Sequence, residues 1–246
     1  MSAQRDGAAA VNSPAAGNAA VRWLRMDMVS HDDVLHWRAV LDDDELRRAD
    51  SFAFAADCAS YTAAHALART TLGALLGVEP GHVRFERAGA FEKPRVAGTD
   101  ARIGFSLSHC RSLVACAVTN GDVGVDVERI DRSGSTSTIA GRFSADEEDR
   151  LRAAPAGGPR EELFFRLWTL KESVVKATGE GLRRSLSSFS IDFDPLRVEF
   201  RDGSHDGTRW HLTELRPTPN HALAVAVRAA GDGTCGARGD GNGSGR

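Results

Sequence analysis

Lysine is nearly absent from this chain of 246 residues. Of its 31 basic residues only Lys93, Lys171 and Lys176 are lysine; the rest are arginine. Where arginine serves almost everywhere, the surviving lysines mark places that need a compact ammonium rather than a planar fork. Surplus positive charge is also missing. The net charge of −3 provides no overall attraction to nucleic acid or an anionic membrane, so any phosphate recognition must come from a local cluster. The four cysteines form no Cys-x-x-Cys pair, and no Cys/His spacing suits zinc, which leaves free thiols as the expectation. No apolar run approaches the roughly 18 residues of a membrane span. The first twenty residues hold no continuous apolar segment of the signal-peptide kind. A cytoplasmic protein without membrane or nucleic-acid partners is expected. Nor is there a Gly-x-x-x-x-Gly-Lys-Ser/Thr loop, or a Gly-x-Gly-x-x-Gly after a strand, to cradle phosphates with backbone amides.

What is there is ordinary globular composition, 41% hydrophobic and 26% charged, bracketed by two biased ends. Residues 1–20 are small and polar, and residues 230–246 are Gly-rich; both are expected to be disordered. Between them the pattern predicts helices over Asp43–Arg48, Asp57–Leu76, Ser144–Arg152 and Arg160–Thr178. Gly77 and Gly179 stop the second and fourth, and Ser144 with Glu147 forms a capping box. Strands are predicted at Val83–Arg87, Ile103–Leu107, Leu113–Thr119, Val123–Ile130, Phe189–Phe193, Arg197–Phe200, Trp210–Leu215 and Ala222–Arg228. Helix followed by strands occurs twice, which suggests an α+β fold of two similar subdomains, 21–123 and 124–229.

Two segments carry the chemistry. In Asp122–Ile130 the valines 123, 125 and 127 alternate with Gly124, Asp126 and Glu128. On a strand the valines face a core, and the two carboxylates share the other face with Cβ atoms ~7 Å apart, close enough to converge on one cation. On the long helix Leu163, Leu167, Leu170, Val174 and Ala177 make one apolar stripe. Glu172 and Lys176 lie opposite it, one turn apart, with Phe165 and Trp168 on their side. Two large aromatics on that face point to a cleft rather than to solvent. Asp126, Glu128 and Glu172 are thus an all-oxygen set suited to Mg²⁺, which commonly shares its site with substrate phosphates. The lysines, His109 and Arg48 are the candidates to hold those phosphates. Ser108, His109 and Cys110 are adjacent on an extended chain and point apart, so they form no catalytic dyad among themselves.

Gly124-Val125-Asp126-Val127-Glu128, followed about forty residues later by Trp168-Thr169-Leu170-Lys171-Glu172-Ser173-Val174-Val175-Lys176, resembles the paired signature of the 4′-phosphopantetheinyl transferases. It is most similar to the larger, surfactin-synthetase-activating (Sfp) type. Phe91-Glu92-Lys93-Pro94 resembles that family's Gly-Lys-Pro segment, and Phe105-Ser106-Leu107-Ser108-His109-Cys110 its Phe-Asn-Leu-Ser-His-Ser segment. The four segments occur in order over about residues 40–195.

The resemblance implies a pseudo-dimer of two α+β halves in one monomeric chain, with the active site in the cleft between them. It implies transfer of 4′-phosphopantetheine from coenzyme A to a serine of an apo acyl or peptidyl carrier protein, with Mg²⁺, releasing 3′,5′-ADP. By it, Asp126, Glu128 and Glu172 hold the metal, and Glu172 helps deprotonate the incoming serine. Lys176 and Lys171 offset pyrophosphate charge. Lys93, Ser108 and His109 contact the nucleotide and its 3′-phosphate, and Arg48 supplies a further phosphate-binding base. Ser60 departs from an arginine common in relatives, so that one 3′-phosphate contact is either missing or supplied by Arg47 or Arg69. Ser106, Cys110 and Glu92 depart from the family's Asn, Ser and Gly. Two other readings remain at this point: a different Mg²⁺-dependent phosphoryl or phosphodiester enzyme, and a non-catalytic module of the same fold.

Overall fold

The computed structural model describes residues 11–14, 18–87, 89, 93–99, 101–130, 141–205 and 208–229. The Gly-rich tail, most of the leader, and Phe91 and Glu92 lie outside the described residues.

The first lobe is an antiparallel sheet in the order β1-β2-β6-β5, made of β1 (Val11–Pro14), β2 (Ala20–Arg25), β5 (Gly104–Cys110) and β6 (Leu113–Thr119). Helix α3 (Ala55–Leu76) packs on it through Ala64, Leu67, Ala68 and Leu72, which meet Leu24, Phe105, Val114 and Cys116. Two short helices, α1 (His31–Arg38) and α2 (Asp43–Asp50), and a small hairpin of β3 (Phe85–Glu86) and β4 (Arg95–Val96) complete the lobe. Helix α3 ends at Gly77, whose φ of 69° is the left-handed stop its sequence predicts.

The second lobe repeats the plan. Strands β7 (Asp122–Arg129), β10 (Trp210–Leu215) and β11 (His221–Arg228) form an antiparallel sheet in the order β10-β11-β7. Helix α4 (Ala145–Ala153), the long helix α5 (Gly158–Thr178) and the hairpin β8 (Phe189–Phe193) and β9 (Leu196–Phe200) pack around it. Leu167, Leu170 and Val174 of the predicted stripe are fully buried against Phe189, Ile191 and Ala224.

The alternation in β7 explains how the lobes join. Val123, Val125 and Val127 enter a shared core with Leu113, Ala115 and Ala117 of β6 and Leu223, Val225 and Val227 of β11. The opposite face of β7 carries Gly124, Asp126 and Glu128 toward α5. A Cβ on Gly124 would lie 1.8 Å from the Ser173 carbonyl oxygen and 2.6 Å from the Ala177 nitrogen. Only glycine lets strand and helix approach this closely.

One edge of β7 ladders with β11, from Asp122–Arg228 to Arg129–His221. Side chains of the first lobe satisfy the other edge. The Ser106 hydroxyl accepts from Val125 N at 3.1 Å, and the Ser108 hydroxyl from Val127 N at 3.2 Å. The Lys93 ammonium donates to Val123 O. Buried backbone groups need partners, and here hydroxyls and an ammonium stand in for a neighbouring strand.

Three differences from the sequence expectations have physical causes. Strand β1 falls inside the presumed leader and pairs with β2. Helix α1 shows no apolar periodicity and buries none of its residues; its local signals are the Ser30–Asp33 capping box and charges that suit its two ends. The strand expected over Val83–Arg87 shrinks to Phe85–Glu86, because its partner β4 offers two residues. Among the described residues no helix is long and apolar enough to cross a membrane.

Candidate active site at the seam between the lobes

Asp126 is the centre of the site. It is 4% exposed, and its Oδ1 accepts from the Lys176 ammonium at 2.6 Å and from the Ser108 hydroxyl at 2.9 Å. Lys176 also donates to Ser108 Oγ at 3.0 Å. Three residues, from β5, β7 and α5, therefore close one triangle across the seam. Asp126 Oδ2 is buried and has no hydrogen-bond partner among the described residues. A buried carboxylate oxygen left unpartnered is unfavourable unless a donor or a cation reaches it.

Glu128 and Glu172 both feel the charge of Asp126. Burial, then the charge of Asp126, pushes the Glu128 carboxyl up to about 7, although the Trp168 indole donates to its Oε1 at 3.3 Å. Burial and the same Asp126 charge also raise Glu172, against the pull of Lys176. The three carboxylates thus feel one another, which places them in one electrostatic neighbourhood. Among the described residues no three His, Cys, Asp or Glu side chains stand close enough to ligate an ion as placed. The donor chemistry nevertheless suits a hard cation: three carboxylates, one with a free buried oxygen, and no nitrogen or sulfur donor among them.

A cleft runs from this triangle along β5. Its inner part, about 320 Å³, is lined by Lys93, Pro94, Ser106, Lys176, Arg87 and His65. An adjoining cavity of about 660 Å³ shares His65, Arg87, Pro94, Phe105 and Leu107 and adds Arg48 and Tyr61. Arg48 thus lies at the far end from Lys176, its guanidinium 5.2 Å from the Phe52 ring centroid. Tyr61 stacks on His65 with ring centroids 4.1 Å apart. His109 is an exposed residue of β5. Desolvation of its inner side and the charges of Lys176 and His65 hold its imidazole below the ordinary value.

Of the sequence-derived site residues, the structure brings together Asp126, Glu128, Glu172, Lys176 and Ser108, with Lys93 and Arg48 lining the cleft and His109 exposed on β5, where it feels the charge of Lys176. Lys93 is half turned from it. Besides Val123 O, its ammonium donates to Lys176 O at 3.2 Å, and burial lowers it to about 8.

Lys171 does not join. Its side chain is 0% exposed and pairs with Glu147 at 2.7 Å inside the second lobe. At 100° per residue it turns away from the Glu172 side, and the second lobe's core closes over it. Phe165 is likewise no cleft residue, because it is buried edge-on against Phe164. Nor can Arg69 substitute at Ser60. It is 0% exposed and held by Glu45 at 2.6 Å, Asp42 at 2.6 Å and Val83 O at 2.8 Å. Ser60 itself is buried and donates to Ala56 O. The sequence reading missed Ser106 as a seam partner and Trp168 as the donor to Glu128. Gly124 was the one available signal, being a glycine within a buried apolar strand.

Two α+β lobes of one chain, meeting in a seam that carries the carboxylates and Lys176, make the molecule a pseudo-dimer. A family model described as the 4′-phosphopantetheinyl transferase superfamily matches residues 122–226, the stretch holding β7, α5 and β11. The chain is 35% identical over 196 residues to 4′-phosphopantetheinyl transferase HetI of Nostoc sp., covering 78% of this chain and 81% of that protein. It is 36% identical over 126 residues to 4′-phosphopantetheinyl transferase gsp of Aneurinibacillus migulanus, 51% of each chain. It is 26% identical over 209 residues to the Homo sapiens L-aminoadipate-semialdehyde dehydrogenase-phosphopantetheinyl transferase, 76% of this chain and 67% of that one. The chain belongs to the 4′-phosphopantetheinyl transferase superfamily.

Proposed function

We propose that this protein is a monomeric 4′-phosphopantetheinyl transferase of the larger, surfactin-synthetase-activating type, with halves dividing at Val123/Gly124. It moves phosphopantetheine from coenzyme A to a serine of an apo acyl or peptidyl carrier protein and releases 3′,5′-ADP. One observation carries the reading: Ser108 of the first lobe and Lys176 of the second meet at a buried, half-satisfied Asp126, beside two carboxylates whose proton affinity is raised.

Phosphoryl transfer needs positioning and charge neutralisation more than covalent chemistry. Asp126, Glu128 and Glu172 would hold Mg²⁺, which when bound offsets charge on the pyrophosphate oxygens. Lys176 neutralises the transferring phosphate from the helix side. Glu172, with its raised proton affinity, takes the proton of the carrier serine as its oxygen attacks the β-phosphate. Arg48, His109, Ser108 and Lys93 bind the nucleotide end along the cleft. Incubation with coenzyme A, Mg²⁺ and a panel of apo carriers is expected to add the mass of one phosphopantetheine to the carrier. No mass gain on any carrier would remove the proposal.

Lys93 supplies a sharper test. Its ammonium sits between the Val123 and Lys176 carbonyls, a space that a planar guanidinium does not fill in the same way. Lys93→Arg is expected to weaken coenzyme A binding about fivefold or more, a loss of ~1 kcal/mol. Unchanged affinity by titration calorimetry would show that any cation suffices there.

A further inference from the structure

Lys171 and Glu147 form a second buried charged cluster that the proposed reaction does not use. Both side chains are 0% exposed and lie 2.7 Å apart. The Lys171 ammonium also donates to Phe189 O at 2.6 Å and sits 4.2 Å from the Phe189 ring centroid. Glu147 Oε2 accepts from Ser144 N at 3.0 Å and its Oε1 from Ile191 N at 2.8 Å. One ion pair therefore ties α5 to the N-terminus of α4 and to β8.

This arrangement does something the apolar stripe cannot. Hydrophobic contact is non-directional, so the packed leucines and valines tolerate a small roll of α5 about its axis. Gly124 limits how near the helix comes to β7, but it leaves that roll free. A buried ion pair whose two partners are each held by further hydrogen bonds is directional, and its best-attested role is to select one packing register. Side-chain tips ride about 5–6 Å from a helix axis, so a roll of about 20° moves them about 2 Å. A misplacement of about 1 Å at a reacting group can lower a rate roughly a hundredfold.

We propose that the Lys171–Glu147 pair sets the roll of α5 and thereby aims Glu172 and Lys176 at Asp126. The two are positioning residues that touch no substrate. The proposal rests on the functional reading above. It also accounts for a lysine at 171, where a compact ammonium meets a carboxylate, a carbonyl and a ring face in a closed space.

The test replaces both charges, Lys171→Met with Glu147→Gln, so that no unpaired buried charge is left and the new amide oxygen still accepts a backbone N–H. The folded double variant is expected to lose at least about thirtyfold in kcat, with KM for coenzyme A within threefold. In the Glu172→Gln background, read as carrier mass over hours, the same replacement is expected to lower the rate by less than tenfold, the part that acts through Lys176 alone. A purely structural lesion would give the full factor in both backgrounds and would overturn the proposal. If the double variant does not fold, Glu147→Gln alone keeps an acceptor for Lys171 and is expected to lose about fivefold in kcat at unchanged KM. A parental kcat in either folded variant would also overturn it. A parent protein that modifies no carrier would remove the functional reading, and this inference with it.

Discussion

Glu172→Gln is expected to lower phosphopantetheine transfer by at least about a thousandfold, the scale seen when a charge-stabilising group leaves an active site. The fold is expected to survive, and to be no less stable at pH 8 without divalent cations. Glu172 is partly buried on a helix whose core is built by other residues, so replacement by the isosteric amide opens no cavity. Burial and Asp126 raise its proton affinity in the folded state. A carboxylate raised in this way stabilises the fold below its unfolded pKa, and that contribution is lost as pH rises through the folded value. Glu128, pushed up to about 7, behaves alike, so its window runs from about pH 4.5 to 7. The cation-free parent therefore carries crowded negative charge at pH 8, and the neutral amide of the Glu172→Gln variant removes part of it. Melting curves at pH 5 and 8 with and without Mg²⁺, together with carrier mass assays, read both halves of the prediction. Full activity would show that the acidic face of α5 has been misassigned. A large fall in cation-free melting temperature at pH 8 would show that Glu172 is a structural group.

Gly124→Ala is expected to have the second largest effect, and by a different route. Its Cβ would lie 1.8 Å from Ser173 O and 2.6 Å from Ala177 N, both backbone atoms of the C-terminal part of α5. No rotamer change relieves a clash with backbone. Strand and helix must separate by roughly 1 Å or more, and overpacking of this kind destabilises by about 1–3 kcal/mol. The same separation moves Glu172 and Lys176 away from Asp126, a displacement that can lower the rate about a hundredfold. A lower melting temperature together with weak transfer is the expected result. Parental values for both would mean that β7 and α5 are not in the contact described.

Much of this architecture was legible beforehand. Alternation in β7 separated the valines from Gly124, Asp126 and Glu128, and the shared interlobe core shows why. The 3.6-residue period of α5 placed Leu167, Leu170 and Val174 inside. Strands β8 to β11 ran nearly where the β-branched and aromatic runs predicted. What was not legible shares one cause. The aromatics Phe165 and Trp168 look alike on a helical wheel, yet one is buried in a core and the other reaches Glu128. Lys171 and Lys176 look alike as bases flanking Glu172, yet one is sealed against Glu147 and the other meets Asp126 and, across the seam, Ser108. Arg69 looked available for a phosphate and proved committed to Asp42 and Glu45.

By itself the sequence determined most of the elements from α2 onward, their apolar faces, the acidic strand and the basic, acidic helix that mark the superfamily. These follow from local geometry, because the periods of strand and helix decide which side chains share a face. Only the tertiary structure decided what each lysine touches. Lys93 meets the backbone of β7, Lys171 the core of the second lobe, and Lys176 the carboxylate of Asp126. Those partners lie 18 to 50 residues away along the chain. A side chain's charge is written in its type, but its partner depends on which distant surface packing brings within about 3 Å.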